Sequence, residues 1–112
     1  MESSSHLLEY IGTSAMLEQT AEECSELAQA CLKLARKYRG ENPTPKTMED
    51  ILDNFHEEIA DVILCLYELS DGDFYSDTVV ETWLNKKKER MKKRLSEIDN
   101  ERKCEIIWLQ TP

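Results

Sequence analysis

Residues 16–38 read MLEQTAEECSELAQACLKLARKY, and the spacing of the apolar members decides the fold. Leu17, Ala21, Cys24, Leu27, Ala28, Cys31, Leu34, Ala35 and Tyr38 follow Met16 at intervals dominated by three and four, which puts them on one stripe of an α-helix. Gly12, followed by Thr13 and Ser14, separates this helix from a short first one over residues 4–11, with Ser14 as the expected cap. Gly40 ends it, just past Arg39.

Working outward, "GENPTPKT" at 40–47 reads as a loop, because each proline pushes the residue before it out of the helical region. Thr47 is the expected cap of a third helix, in "TMED" with an acidic residue three positions on. Ile51, Leu52, Phe55, Ile59, Val62, Ile63, Leu66 and Leu69 carry its stripe to a stop near Ser70, at "SDGD". Ser76 or Asp77 caps a fourth helix, whose apolar positions are Val79, Val80, Trp83, Leu84, Met91, Leu95 and Ile98. The fold class read from these patterns is all-α, with about four helices in a single domain over residues 1–112. A chain of this length buries only about two-thirds of its unfolded surface, so a thin core deepened by oligomerisation is expected. Ile106, Ile107 and Trp108 in the tail are expected to dock on the bundle or on a partner subunit.

Charge is unevenly spread. Residues 1–85 carry 5 basic and 18 acidic side chains, residues 86–103 carry 9 basic and 4 acidic, and Glu105 completes the net −9. An acidic body argues against a nucleic acid polymer as partner, since neutralising phosphates needs a basic face. No segment has the apolar length of a membrane span, and "MESSSHLLEY" lacks the basic start and long apolar run of a signal peptide, so a cytoplasmic location without membrane contact is expected. Cys24, Cys31, Cys65 and Cys104 form no C-x-x-C pair and are expected as reduced, buried thiols.

The chemistry lies in two acidic clusters on the apolar helices. In "TAEECSEL" Glu23 and Glu26 stand three apart with Glu22 at their edge, and in "HEEIADVI" Glu58 and Asp61 repeat the pattern with Glu57 beside them. Like charges at that spacing share a helix face and cost a few tenths of a kcal/mol each, more when partly buried. A divalent cation would offset the repulsion, and an all-carboxylate set favours Mg²⁺ or Mn²⁺. The competing reading is a solvated acidic face. A carboxylate-bridged di-iron site would need Glu-x-x-His on two helices, whereas only Asp53-x-x-His56 comes near it.

With both motifs in view, E-E-x-x-E from Glu22 and E-x-x-D at Glu58 and Asp61, the chain resembles the MazG-like all-α nucleotide pyrophosphohydrolases, in small single-domain form. The likeness runs over about 90 residues, from "LLEYIG" through "LEQTAEECSELAQACLKLARKYRGENPTP" to the basic fourth helix. It implies a helical hairpin-based bundle whose four-helix core is completed by dimerisation, as a homodimer or homotetramer. It implies hydrolysis of a nucleoside triphosphate to the monophosphate and pyrophosphate. Carried over by motif position, Glu23, Glu26, Glu58 and Asp61 would ligate Mg²⁺, with Mn²⁺ as substitute, and Glu22 would be a metal-side or water-orienting carboxylate. Lys87, Arg90 and Arg94 of "NKKKERMKKRL" would hold the phosphates, although Lys86 and Lys88 leave that register open. No rule assigns the base pocket; Gln19 and Asn54 are polar residues near the motifs. Phosphoribosyl-ATP pyrophosphohydrolase or a dUTPase-like activity shares the metal site, and a non-enzymatic helical partner-binding module is the reading from another class.

Overall fold

The computed structural model describes residues 6–41 and 45–110, without the side chains of 106–110. The described residues form four α-helices and no strands: α1 Leu7–Ile11, α2 Thr13–Arg39, α3 Met48–Asp71 and α4 Asp77–Gln110. They divide into two compact units, Met1–Phe74 and Tyr75–Pro112. The first unit is a hairpin of α2 and α3 with α1 packed on both.

Local chemistry sets the helix ends. Gly40 sits at φ 71° and its N–H meets the carbonyl of Lys37 at 3.2 Å, while Glu41 N–H reaches the carbonyl of Arg36 at 3.0 Å. A residue with a Cβ is disfavoured at such a left-handed position, so the helix ends at the glycine. Thr47 caps α3 as expected, its hydroxyl accepting from Asp50 N–H at 3.2 Å. Ser76 does the same for α4, accepting from Val79 N–H at 3.3 Å. Ser14 does not cap α2. The cap position is Gly12, two residues earlier, because Met16 N–H already bonds the Gly12 carbonyl at 3.0 Å and Ser14 lies inside the first turn.

The α2–α3 seam follows a heptad spacing. Met16, Thr20, Glu23, Leu27, Ala30 and Leu34 line it on α2, and Ile51, Phe55, Glu58, Val62, Cys65 and Leu69 on α3. Met16, Ala30, Ile51, Cys65 and Leu69 are buried and the others half-buried. Full burial of a side chain the size of Met16 is worth roughly 1.5–3 kcal/mol. The apolar stripe read from the sequence is wider than this seam. Leu17, Ala21, Cys24, Ala28 and Cys31 form a second series on α2, again three and four apart, with Tyr38 seven residues further on, and all are exposed. On α3, Ile63 and Leu66 are exposed and Leu52 and Ile59 half-buried. In an antiparallel pair both series fall on the same side of the hairpin. The expectation of buried thiols therefore holds for Cys65 alone; Cys24, Cys31 and Cys104 are free and exposed.

The short α1 is held at the far end of α3. Leu8 N–H donates to Glu68 Oε2 at 3.2 Å, and His6 Nδ1 stands 3.7 Å from both Glu68 Oε2 and Asp71 Oδ2. The Leu8 side chain occupies the space a Cβ would take at Gly72, against the Phe74 ring, so that position admits no side chain without shifting α1.

In the second unit α4 runs for 34 residues, and every residue of it whose side chain is described is exposed. Its apolar positions run from Ile98, at 38% exposure, to Met91, at 64%. The expected first-helix residues before His6 and the side chains of Ile106, Ile107 and Trp108 lie outside the described residues. No helix among the described residues is long and apolar enough to cross a membrane.

Candidate metal centre

The two acidic motifs meet midway along the hairpin. Glu23 and Glu58 occupy facing positions of the α2–α3 seam, and Glu26 and Asp61, each three residues on, lie beside them along the edge opposite the exposed apolar series. One carboxylate oxygen from each of Glu23, Glu26, Glu58 and Asp61 lies within 4.8 Å of the other three. Two ligands on opposite sides of a Mg²⁺ ion, each at about 2.1 Å, are about 4.2 Å apart, so the four oxygens form a cage of nearly the right span.

Hydrogen bonding shows that the cage is incomplete on protein atoms alone. Glu23 Oε1 accepts from Gln19 Nε2 at 2.8 Å, one helical turn earlier. Glu23 Oε2 and Glu58 Oε2 are buried and have no hydrogen-bond partner. Buried acceptors without a donor cost roughly 1–3 kcal/mol each, more when charged, and a cation would satisfy both. Burial pushes the Glu23 carboxyl above the ordinary carboxylate range; the negative charges of Glu26 and Asp61 add to the rise, and the Gln19 bond opposes it. The residues present thus fit a hard divalent cation by span, donor chemistry and unsatisfied valence.

Beside the cage sits Cys65, whose buried thiol is pushed up by desolvation first and by neighbouring Glu23, Cys24 and Asp61, with a hydrogen bond to Thr20 acting the other way. Thr20 itself donates to the Met16 carbonyl at 2.8 Å. Neither residue was legible as part of the site, because a cysteine and a threonine on an apolar stripe read as packing. Gln19 was visible only as a nearby polar group; its i,i+4 relation to Glu23 was the available signal.

The remaining expected site residues fall elsewhere. Glu22 and Glu57 are exposed and outside the converging group. Asp53 and His56 line an open depression of about 480 Å³ with Glu49, Asp50 and Leu52, all on α3. On α4, Lys87, Arg90 and Arg94 share one face and, with Met91, line a depression of about 310 Å³. Lys86 lies over the Trp83 ring, its Nζ 5.0 Å from the centroid, and Lys92 pairs with Glu89 at 3.3 Å.

Against known families, residues 12–95 match the MazG nucleotide pyrophosphohydrolase domain. No curated protein and no solved structure gives a significant match. The matched span holds both acidic motifs, the loop between them and the basic face of α4, three-quarters of the chain, and the chain belongs to the MazG nucleotide pyrophosphohydrolase family.

Proposed function

We propose that the protein is a Mg²⁺-dependent nucleoside triphosphate pyrophosphohydrolase, cleaving (d)NTP between the α and β phosphates to (d)NMP and pyrophosphate. One observation carries the reading: four carboxylates from two helices converge within 4.8 Å, and two of their oxygens are buried without a donor. The family is typically metal-dependent. Glu23, Glu26, Glu58 and Asp61 would hold Mg²⁺, or Mn²⁺ in its place, which when bound screens phosphate charge and acidifies a coordinated water.

In the reaction a water oxygen bonds the α phosphorus as the bridging bond to the β phosphate breaks. Glu22, exposed and next to Glu23 in the chain, is the residue assigned to take the water's proton, and the pyrophosphate leaves with the electrons of the broken bond. Lys87, Arg90 and Arg94 supply the positive charge that binds the triphosphate and steadies the leaving group. The test is pyrophosphate release from a panel of common and damaged (d)NTPs, phosphoribosyl-ATP included, with Mg²⁺ or with EDTA. Activity on part of the panel, lost with EDTA and in Glu23→Gln and Asp61→Asn variants that keep their helical circular dichroism, supports the reading. A folded wild type that hydrolyses nothing on the panel overturns it.

A second copy of the chain is the proposed partner. The exposed series Leu17, Ala21, Cys24, Ala28 and Cys31 and the α3 residues Leu52, Ile59, Ile63 and Leu66 make a two-helix apolar face on the side away from the carboxylates. Two such hairpins, face to face, build a four-helix core, as a homodimer or the half of a homotetramer. Light scattering should give twice or four times the 13.0 kDa chain mass, and Ile63→Glu should lower it to the monomer.

A further inference from the structure

The basic face of α4 begins with an aromatic ring. Trp83, Lys87, Arg90 and Arg94 follow one another at intervals of four, three and four, so they line up along one side of the helix. The apolar positions Val80, Leu84, Met91, Leu95 and Ile98 form an adjoining stripe. Trp83 lies on the cation face itself, one turn before Lys87, and its side chain is about half exposed, at 49%. The ring face is already used as a π surface, by the Lys86 ammonium at 5.0 Å. From Trp83 to Arg90 the helix rises about 10 Å, and to Arg94 about 16 Å. Those distances suit a molecule with a flat π system at one end and several negative charges at the other.

We infer that Trp83 is the platform on which the nucleobase of the substrate stacks, with Lys87, Arg90 and Arg94 holding the phosphates of the same molecule along the helix. The inference rests on the proposed nucleoside triphosphate substrate and deepens it by assigning recognition of the base. Indole stacks on any base, so one open ring gives recognition that tolerates base identity and favours purines by their larger π face. The Lys86 ammonium is displaced from the ring when the base arrives, which leaves it free to join the cations beside it.

The chain has two tryptophans, so a Trp108→Phe background leaves Trp83 as the sole indole reporter. Its emission is titrated, with Mg²⁺ present, by α,β-imido ATP, α,β-imido CTP and inorganic tripolyphosphate. The expected result is saturable quenching by both nucleotides, stronger binding of the purine, and tripolyphosphate binding without quenching. In the wild-type background Trp83→Ala should raise KM about tenfold, as loss of one base-stacking ring does. It should leave tripolyphosphate inhibition and oligomer mass unchanged, and Trp83→Phe should recover most of the loss. Absence of quenching, or a Trp83→Ala variant with unchanged KM or a KM change accompanied by subunit dissociation, overturns the inference while pyrophosphate release still supports the proposed function. If the wild type hydrolyses no nucleotide, the function fails, and quenching by the imido nucleotides alone still supports the platform; its absence sinks both.

Discussion

The hairpin and α4 carry opposite charge and answer to different forces. In the hairpin, two heptad series interlock, each helix covers the other's apolar seam, and two glutamates lie in that seam at a point where neither meets a donor sufficient to satisfy it. In α4, no side chain among those described is buried, and cations stand beside apolar positions instead of facing them. The first unit makes a site from its own residues; the second presents a surface. A cation site needs ligands held within tenths of an ångström, which packing provides, whereas phosphates are attracted over longer distances by exposed charge.

Breaking the hairpin's site should have the largest effect. Glu58→Gln should cut pyrophosphate release by more than about 100-fold, beyond the roughly 10–100-fold cost of losing a ligand's own hydrogen-bond partner, which is the range expected for Gln19→Ala. Both are read from kcat/KM at saturating Mg²⁺. Breaking α4's surface should look different: Lys87→Gln, Arg90→Gln and Arg94→Gln combined should raise KM at least tenfold, since charge-assisted hydrogen bonds contribute about 1.5–3 kcal/mol each. Mg²⁺ affinity, followed by calorimetry without nucleotide, should stay as in the wild type. Equal loss of Mg²⁺ affinity in both sets would erase the distinction between site and surface.

The metal-free hairpin should also betray its crowded charge. Because the Glu23 carboxyl lies above its ordinary range, the folded state holds that proton more tightly than the unfolded chain does. Its favourable contribution is present below the unfolded value of about 4.3 and is lost as pH rises through the raised folded value. In EDTA, Glu23→Gln should therefore gain melting temperature over wild type as pH goes from 4 to 7, and should lose the stabilisation that Mg²⁺ gives the wild type. The smallest effect compares the caps. Thr47→Ala on α3 should cost about 1 kcal/mol in urea unfolding, because α3 is locked into the seam, while Ser76→Ala on α4 should cost less, since an exposed first turn frays without unfolding the rest.

Much of this was legible in the residues. The heptad spacings, the αL glycine at Gly40, the caps at Thr47 and Ser76 and the two carboxylate motifs all depend on neighbours within one turn of helix. Ser14 misled because a serine ahead of an apolar run looks like a cap, whereas the chain turned at Gly12 and began the helix sooner. Cys24 and Cys31 misled for a deeper reason: α2 carries two apolar series side by side, and periodicity gives no preference between them. Only the approach of α3 selects the one containing Met16, Leu27 and Ala30 for burial.

Sequence alone determined the helices, their ends except the start of α2, the acidic pairs and the segregation of charge, because each follows from contacts between residues a few positions apart. Tertiary structure decided which stripe is buried, that Glu23 and Glu58 face each other with oxygens lacking a donor, and that Gln19, Thr20 and Cys65 adjoin them. Those facts depend on the rotation of one helix against another, and a helix with two competing apolar stripes acquires that rotation only when its partner packs.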